Sequence, residues 1–440
     1  MRVSTALLCA AAAAAAAPAG PAGPWDAALY MHSDATASSL NARCLDGSKG
    51  ALYYRPASSP SARTKWKFHF MGGGWATTPE SLLARSRGVT GSSAAWTPWL
   101  SSCLGPEYAG FYGLMSLNAT RDAAVGDFNF VCSYATLRLP AAPAPASRPQ
   151  HQTHRAHPHD PKTKGLPYCD GTSQTSDRDT PLVVDGTALH LRGRALLDAH
   201  LAELDARFDF SATATEVIVS GTSAGGLSAH LHAPLFAARL PRARVVAAPD
   251  AGFWWDTPAY NNPASRPWLD SITPALPLWN VSFNPANPAA AACLAANAGA
   301  RARCFTQPYM SAFSAVPTFH MQSLYDTANL AFCFKPPCGL AGNTPGSCTP
   351  AEVAAIADFS ARLGASIEST LKPADGYFFL SCSQHETSCR AADFFGVTTP
   401  RGATMNSTFA EWYEGTGPGR EADGPWPRDN TCANITHGFC

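Results

Sequence analysis

The spacing of apolar and polar residues predicts strands and helices that alternate along most of the chain. The segment that begins at Glu216 carries the apolar run Val217–Val219, which is typical of a strand covered on both faces. Strand-like runs also occur at 65–71, 127–134, 244–248, 316–326 and 376–385, and helical spacing occurs at 191–208 and 351–371. This order predicts a single α/β domain with a mainly parallel sheet, helices on both faces and right-handed crossovers.

The strand at Glu216 leads into a glycine-flanked serine. Residues 221–225 read Gly-Thr-Ser-Ala-Gly, which fits Gly-x-Ser-x-Gly, a sharp turn that lifts a nucleophilic serine above a sheet. A plain glycine turn is the alternative. The strand before it and the helix after it favour the nucleophile, so we predict that role for Ser223.

A second glycine-rich bend follows the strand at 65–71. Three glycines and Trp75 come directly after it, and such a loop supplies backbone N–H donors to the oxyanion hole of α/β-type serine hydrolases. A flexible hairpin turn is the alternative. Beside the serine motif, the bend predicts an oxyanion hole formed by the N–H groups of Gly74, Trp75 and Ala224.

An acid and a base follow the serine in the order that α/β hydrolases use. Asp326 and His385 each come just beyond a predicted strand, so with Ser223 they are expected to meet at the carboxyl edge of the sheet. His385 would take the serine proton, and Asp326 would orient the imidazole. Asp250 is the competing acid. We prefer Asp326 because the acid comes late in this fold, and we consider Asp250 as a structural carboxylate that bonds loop amides.

Aromatic residues near these motifs are candidates for substrate contact. Trp75 and Phe253, with Trp254 and Trp255, could line a pocket or stack on sugars. Core packing is the alternative for the same residues.

The N-terminus and the cysteines indicate a secreted chain. Residues 1–24 combine Met-Arg, an apolar stretch and Pro-Ala-Gly, which predicts a signal peptide that leaves a domain over 25–440. The apolar stretch is too short for a stable membrane anchor. Removal of Cys9 would leave thirteen of the 14 cysteines. In a secreted chain we expect most of these to form disulfides, and the odd number leaves at least one thiol free or paired with another molecule. Glycosylation sequons occur at Asn118, Asn280, Asn406 and Asn434.

The charge balance and the low-complexity stretch do not indicate further binding functions. Lys+Arg 32 balances Asp+Glu 32, so no nucleic-acid footprint is expected. The stretch at about 140–164 is rich in Pro and His and predicts an exposed insertion. A metal-binding histidine tract is the weaker alternative, because its spacing is irregular. We therefore predict no metal.

Seven short motifs follow one another along the chain: Cys44-Leu-Asp-Gly, Gly72-Gly-Gly-Trp75, Tyr168-Cys-Asp-Gly-Thr-Ser173, Gly221-Thr-Ser-Ala-Gly-Gly226, Asp250-Ala-Gly-Phe253, Leu324-Tyr-Asp326 and Cys382-Ser-Gln-His385. Together they resemble the pectin acetylesterases, the family that also includes the Wnt deacylase Notum. The resemblance implies an α/β-hydrolase-like carboxylesterase without metal or organic cofactor, whose triad falls on Ser223, Asp326 and His385. Ala76 and Thr222 stand where the plant enzymes usually have cysteines, which leaves the local disulfide pattern open.

These observations predict a secreted serine esterase that removes acetyl groups from an extracellular polysaccharide of a cell wall or matrix. One rival is a Notum-like deacylase that removes a fatty acyl group from a protein. A second is a catalytically silent binding protein of the same fold. A thiol enzyme is weaker, since disulfides explain the cysteines better.

Overall fold

A computed structural model describes residues 27–94, 96, 99–100, 128–133, 168–340, 344–388 and 391–426. The side chains of 99–100, 132–133 and 391–393 are excluded from that description. The predicted signal peptide at 1–24, the predicted insertion at about 140–164, and the sequons at Asn118 and Asn434 lie outside the described residues.

Strands and helices alternate along the described residues. The strands are β1 (Ala27–Met31), β2 (Ala51–Arg55), β3 (Lys65–Phe70), β4 (Trp99–Leu100), β5 (Asn129–Ser133), β6 (Leu182–Val184), β7 (Thr187–Leu189), β8 (Glu216–Thr222), β9 (Arg244–Asp250), β10 (Phe319–Ser323), β11 (Gly376–Leu380) and β12 (Arg420–Ala422).

The helices are α1 (Asp34–Ser39), α2 (Pro79–Ser86), α3 (Gly193–Phe208), α4 (Phe210–Thr213), α5 (Ala224–Arg239), α6 (Pro267–Ile272), α7 (Ala275–Trp279), α8 (Pro288–Ala296), α9 (Gln307–Ser311), α10 (Thr327–Asn329), α11 (Pro350–Thr370), α12 (Ala391–Gly396) and α13 (Met405–Glu414). A π-helical turn at Leu330–Phe334 follows α10 directly.

Ten of the described strands form one sheet in the order β12-β11-β10-β9-β8-β3-β5-β2-β1-β4, and β6 and β7 form a separate hairpin. The pairs from β12 to β5 are parallel. The pairs from β5 to β4 are antiparallel. The predicted mainly parallel sheet is confirmed, and an antiparallel flank extends it on one side.

Alternating side chains cover the sheet on both faces. In β8, Val217 and Val219 pack in a cluster with residues of α3 and α5. Ile218, between them, packs in another cluster with residues of α12 and α13. Each of these side chains is fully buried, and burial of one such side chain contributes about 1.5–3 kcal/mol. The apolar run therefore places helices on both faces, as predicted.

The register aligns the carboxyl ends of the central strands. The last paired residues of neighbouring strands are Phe70 with Gly221, Thr222 with Asp250, and Ser323 with Leu380. The loops after these strands consequently leave the sheet at the same edge, which is where α/β sheets bind ligands.

Disulfides link loops around this sheet. The described pairs are Cys44–Cys169, Cys293–Cys304 and Cys338–Cys348. Cys382, in the loop after β11, is also disulfide-bonded. Among the described residues, Cys333 has a free, buried thiol.

Candidate active site

Ser223 occupies the turn between β8 and α5. Its backbone has φ 54° and ψ −120°, a conformation that residues with side chains rarely adopt. The Ser223 N–H donates to the carbonyl oxygen of Asp250 at 2.9 Å. Strained backbone of this kind persists only where surrounding contacts hold it, and it is typical of nucleophile turns. The serine thus sits at the N-terminus of a 16-residue helix, whose dipole favours an anion nearby.

The glycines of the serine motif are required by close backbone packing. A Cβ on Gly221 would lie 2.1 Å from the carbonyl oxygen of Gly225, and a Cβ on Gly225 would lie 2.0 Å from that of Phe70. No side chain fits at such distances. The end of β3 and the start of α5 therefore approach each other because both motif positions are glycine.

Asp326 and His385 are joined by a hydrogen bond. His385 Nδ1 lies 2.8 Å from Asp326 Oδ2, and both side chains are buried. The other carboxylate oxygen of Asp326 accepts the N–H of Asn329 at 2.8 Å, and Gln322 Nε2 donates to Oδ2 at 3.3 Å. Because Nδ1 faces the carboxylate, a proton exchanged between this ring and a hydroxyl group would pass through Nε2.

Three carboxylates act on the charge of His385. Burial alone would lower the pKa of the imidazole, but the charge and hydrogen bond of Asp326, with the charges of Glu386 and Asp250, outweigh it and raise the pKa to about 9. The site therefore stabilises the imidazolium form, which is the form that a general base adopts once it has taken a proton.

Asp250 connects the serine turn to the histidine loop. Its main-chain carbonyl accepts the Ser223 N–H, as described above. Its buried carboxylate accepts the N–H groups of Thr387 and Ser388, each at 2.7 Å, and the Thr387 hydroxyl at 2.8 Å. These are the contacts of a structural carboxylate that bonds loop amides, which is the alternative we considered for Asp250.

The glycine bend after β3 lies against the serine. A Cβ on Gly72 would lie 3.0 Å from the Ser223 Cβ and 2.6 Å from Glu386 Oε1. The bend continues through Gly73 (φ 127°) and Gly74 (φ 64°), conformations that favour glycine. The serine, the bend and the loop that carries His385 thus occupy one location at the carboxyl edge of the sheet.

Tryptophans pack beside this location. The ring centroids of Trp75 and Trp254 lie 4.8 Å apart, those of Trp75 and Trp268 4.7 Å apart, and those of Trp254 and His385 6.4 Å apart. Trp75 is partly exposed, whereas Phe253 is 1% exposed and packs in the core. Phe332 has a large apolar side chain that is 51% exposed. Its ring centroid lies 6.1 Å from that of Trp254.

Several residues of the site had no role in the sequence predictions. Glu386 was not singled out, although a carboxylate next to a candidate catalytic histidine is a signal that sequence can carry. The Tyr168 hydroxyl donates to the Gly74 carbonyl and the Ser173 hydroxyl accepts Trp75 Nε1, but both residues belong to a motif whose function the sequence left unassigned. Arg85 Nη2 donates to the Gly73 carbonyl, but Arg85 lies in an ordinary amphipathic helix, where nothing in the sequence distinguishes it from a surface residue.

A cluster of potential metal ligands and a free thiol also occur among the described residues. The cluster of potential ligands there is Cys338, Cys348 and Glu352, and its two cysteines form a disulfide. Burial raises the pKa of the free Cys333 thiol to about 12, so it is not a thiolate at neutral pH. The histidine tract at 151–159 lies outside the described residues.

Two of the predicted sequons lie in described residues. Asn280 is exposed and ends α7 in a left-handed conformation. Asn406 is partly buried in the first turn of α13, and its Oδ1 is buried without a hydrogen-bond partner.

None of the helices in the described part of the chain combines the length and the apolar character needed to cross a bilayer.

Comparisons with known proteins agree on one group of relatives. Residues 27–125 and 164–433 match the family model described as Pectinacetylesterase, and the gap between the two matches contains nearly all of the predicted insertion. Pectin acetylesterase 5 of Arabidopsis thaliana is 22% identical over 413 residues, which are 91% of this chain and 84% of that protein. Pectin acetylesterase 11 of the same plant is 27% identical over 221 residues, 50% of this chain and 44% of that protein.

A solved structure shares the fold. The Wnt deacylase Notum from Drosophila superposes with a TM-score of 0.65 at 17% identity, covering 89% of this chain and 94% of that chain. The α/β-hydrolase-like fold expected from the sequence is thereby confirmed.

Proposed function

This chain belongs to the pectinacetylesterase family, a family of ester hydrolases, and we propose that it is a secreted serine esterase that releases acetate from an acetylated extracellular polysaccharide. The nucleophile is Ser223, the base is His385 and the acid is Asp326. No metal or organic cofactor takes part in this proposal.

The hydrogen bond between His385 and Asp326 carries the proposal. It holds Nδ1 of a buried imidazole 2.8 Å from a carboxylate, at the sheet edge that also carries the strained serine turn. A serine hydroxyl is a poor nucleophile at neutral pH, so it needs such an oriented base. The contacts of Asp250 with Ser223 and with the histidine loop explain how the two remain together.

In the first half-reaction, His385 Nε2 takes the proton of Ser223 Oγ as that oxygen attacks the acetyl carbonyl carbon. The carbonyl oxygen becomes an oxyanion, which the N–H groups of Gly74, Trp75 and Ala224 stabilise. One such donor is worth about 3 kcal/mol in other hydrolases. The imidazolium then protonates the sugar oxygen, which leaves as an alcohol while acetyl-Ser223 remains.

In the second half-reaction, His385 removes a proton from water, and the resulting hydroxide oxygen attacks the acetyl-serine. A second oxyanion forms in the same hole. When it collapses, the serine oxygen leaves with the proton from His385, and acetic acid is released and ionises. Asp326 stabilises the imidazolium in both steps.

The packing beside His385 favours a short acyl group. Trp75, Trp254 and Trp268 contact one another ring to ring, and the Trp254 ring lies 6.4 Å from that of His385, so we expect these aromatic side chains to limit the length of an acyl group bound there. Trp75 is also suited to contact the substrate because it is partly exposed. The burial of Phe253 favours a packing role for that side chain.

Secretion and glycosylation belong to the same proposal. Disulfides persist in oxidising compartments, and three are described in this chain. Of the two described sequons, Asn280 is the exposed one, and its Nδ2, the atom that would carry a glycan, donates to the carbonyl oxygen of Asp177 at 2.8 Å. An extracellular polysaccharide is therefore a substrate that the protein could meet.

The experiment is to measure hydrolysis of p-nitrophenyl acetate and of acetylated pectin by wild type and by Ser223→Ala. Ser223→Ala is expected to lower kcat by at least about 10³-fold without change in the melting temperature. Ser360→Ala, which removes a buried serine hydroxyl within α11, serves as the control and should keep activity. Activity retained in Ser223→Ala would refute the assignment.

A series of esters from acetyl to palmitoyl tests the acyl group. We expect kcat/KM to be highest for acetyl and to fall as the chain lengthens. A maximum at long chains would instead favour removal of a fatty acyl group, and no reaction of wild type with a fluorophosphonate probe would favour a silent binding protein.

A further inference from the structure

Two consecutive carbonyls of the glycine bend are held from outside the bend. Arg85 Nη2, from α2, donates to the carbonyl oxygen of Gly73. The Tyr168 hydroxyl, from the segment before β6, donates to the carbonyl oxygen of Gly74. The Arg85 guanidinium also lies over the Tyr168 ring, 5.4 Å from its centroid. The two side chains thus form one support beneath the bend.

These contacts fix the direction of two N–H groups. In a trans peptide the carbonyl and the following N–H share a plane and point in opposite directions. The N–H of Gly74 therefore points away from Arg85, and the N–H of Trp75 points away from Tyr168. Both N–H groups therefore face away from the support formed by Arg85 and Tyr168.

The third donor is fixed in the same manner by the helix. The Ser223 carbonyl accepts the N–H of Leu227 at 3.1 Å, so the N–H of Ala224, in the same peptide, points out of the start of α5. Ser173 joins the two parts, since its hydroxyl donates to the Ala224 carbonyl at 3.0 Å and accepts Trp75 Nε1 at 2.8 Å. Among the hydrogen bonds of the described residues, none uses the N–H of Gly74, Trp75 or Ala224.

We propose that Arg85 and Tyr168 are positioning residues that aim the Gly74 and Trp75 N–H groups at the oxyanion by holding the carbonyls of the same peptides. This inference rests on the proposed esterase function. It explains why a bend made of conformationally free glycines can still present ordered donors, since the glycines permit the shape and the two side chains select it.

The Tyr168 hydroxyl is suited to this role at every pH at which the protein would work. Burial raises the pKa of the phenol, so the hydroxyl stays protonated and remains a donor. Arg85 is always charged and therefore also remains a donor. Neither residue contacts the reacting atoms, so their loss should affect the transition state more than the bound substrate.

The test compares Tyr168→Phe and Arg85→Met with wild type. Tyr168→Phe removes one hydroxyl donor and Arg85→Met removes the guanidinium group, and each variant keeps most of the side-chain volume. We expect kcat to fall about 10- to 100-fold, less than the 10²–10³-fold loss of a complete oxyanion donor, with KM within about threefold of wild type. Ser223 would add to a trifluoromethyl ketone to form a tetrahedral oxyanion. The inhibition constant of this ketone should rise by the same factor as kcat falls.

Two control variants remove comparable contacts elsewhere. Tyr54→Phe deletes a hydroxyl that donates to Asn129 at 3.0 Å, and Arg420→Met deletes donors to the carbonyls of Asp375 and Lys372. They report the general cost in stability, measured as melting temperature, and should leave kcat within about threefold of wild type.

The outcomes separate this inference from the proposed function. An active wild type with kcat and ketone affinity unchanged in both Tyr168→Phe and Arg85→Met overturns the positioning role and leaves the esterase assignment intact. A wild type that neither hydrolyses esters nor binds the ketone overturns both. If Arg85→Met fails to fold, Arg85→Lys keeps a donor and a positive charge; it should retain more of kcat than Tyr168→Phe, and an equal loss would contradict the role.

Discussion

At the scale of single residues, the immediate neighbour of the candidate base adds to the effect of Asp326 on the pKa of that base. Glu386 is buried, follows His385 directly and has φ 60°. Its Oε1 and the Ser223 Cβ both border the bend at Gly72. With Asp326 and Asp250 it opposes the effect of burial on the imidazole, and the pKa of His385 rises to about 9. We therefore expect the Glu386 carboxylate to affect the pH at which His385 acts as a base.

We predict that Glu386→Gln moves the pH profile of kcat/KM to lower pH. His385 accepts a proton only when neutral, so activity should rise with pH through the His385 pKa, which lies above its ordinary value. Removal of one of the three facing carboxylate charges lowers that pKa. A downward shift of one pH unit would raise the neutral fraction at pH 7 about tenfold.

The control for this prediction is Glu216→Gln, which removes a carboxylate that binds Lys65 and Tyr413 at the opposite end of β8. Its pH profile should overlay that of wild type. A profile unchanged in Glu386→Gln, or displaced equally in both variants, would show that Glu386 does not act on His385.

Chain order allowed Ser223, Asp326 and His385 to be chosen from sequence, because each follows a strand that could be recognised. The hydrogen bond between Asp326 and His385 is the contact expected for these residues, and their catalytic roles stay predictions. Sequence could not assign the partners of Arg85, because its contact with Gly73 depends on how α2 turns back over the bend. Side-chain contacts of this kind are set by tertiary packing.

At the scale of elements, β9 and the loop after β11 are connected through one buried carboxylate. Asp250 ends β9 and binds the N–H groups of Thr387 and Ser388. His385 lies in the loop that follows β11. The position of this loop therefore depends on β9, which is distant from it in sequence. We expect this connection to matter for activity as well as for stability.

Asp250→Ala should lower both the free energy of unfolding and kcat. Loss of a buried acceptor of several N–H and O–H groups is expected to cost about 3 kcal/mol. The histidine loop would also lose its anchor, so kcat should fall at least about tenfold in protein that remains folded. Chemical denaturation and steady-state kinetics at 20 °C measure the two effects separately.

Asp375→Ala is the matched control. Asp375 is also buried and accepts two backbone N–H groups, those of Thr318 and Lys372, but it precedes β11 at the opposite edge of the sheet. It should lose a similar amount of stability and keep kcat. Equal losses of kcat in the two folded variants would contradict the positioning role of Asp250.

The elements that the sequence predicted best are those with strong periodicity. The helix over 191–208 is present as Gly193–Phe208, and the helix over 351–371 as Pro350–Thr370. The strand at Ala27–Met31 was not predicted, because it follows the signal-like segment directly and shows no clear alternation of its own. Short edge strands such as Arg420–Ala422 depend on a neighbouring strand to pair with, so three residues carry too little pattern to reveal them.

At the scale of the whole molecule, the Cys44–Cys169 disulfide connects the antiparallel flank of the sheet to the candidate site. It closes a span of 125 residues, and Cys169 is adjacent to Tyr168, which binds the glycine bend. The same covalent bond therefore restrains the unfolded chain and supports the bend.

We predict that replacing both Cys44 and Cys169 by alanine lowers the free energy of unfolding by about 5 kcal/mol, because loss of a long closed span increases the entropy of the unfolded chain most. Activity should fall too, since Tyr168 loses its adjacent anchor. The comparison is Cys338→Ala with Cys348→Ala, a span of 10 residues, where about 3 kcal/mol is expected and kcat should be kept.

Thermal unfolding and ester hydrolysis of the two double variants measure these effects. A smaller loss of stability for the Cys44–Cys169 pair than for the Cys338–Cys348 pair would contradict the span argument. Full activity without Cys44 and Cys169 would show that Tyr168 needs no covalent neighbour.

The general architecture was accessible from sequence because alternating strands and helices admit few arrangements. The disulfide connectivity was not, because thirteen cysteines can pair in many ways and the spacing of Cys44 and Cys169 does not single them out.

The double attachment of Asp250 has a consequence for thermal motion. Ser223 is bound to its main chain and the loop of His385 to its side chain, so a shear of β9 against its neighbours would displace both in the same direction. The distance between the Ser223 hydroxyl and the His385 imidazole would then vary less than the position of either group. Thermal fluctuations should therefore slow the reaction only at temperatures at which β9 itself loses its place in the sheet.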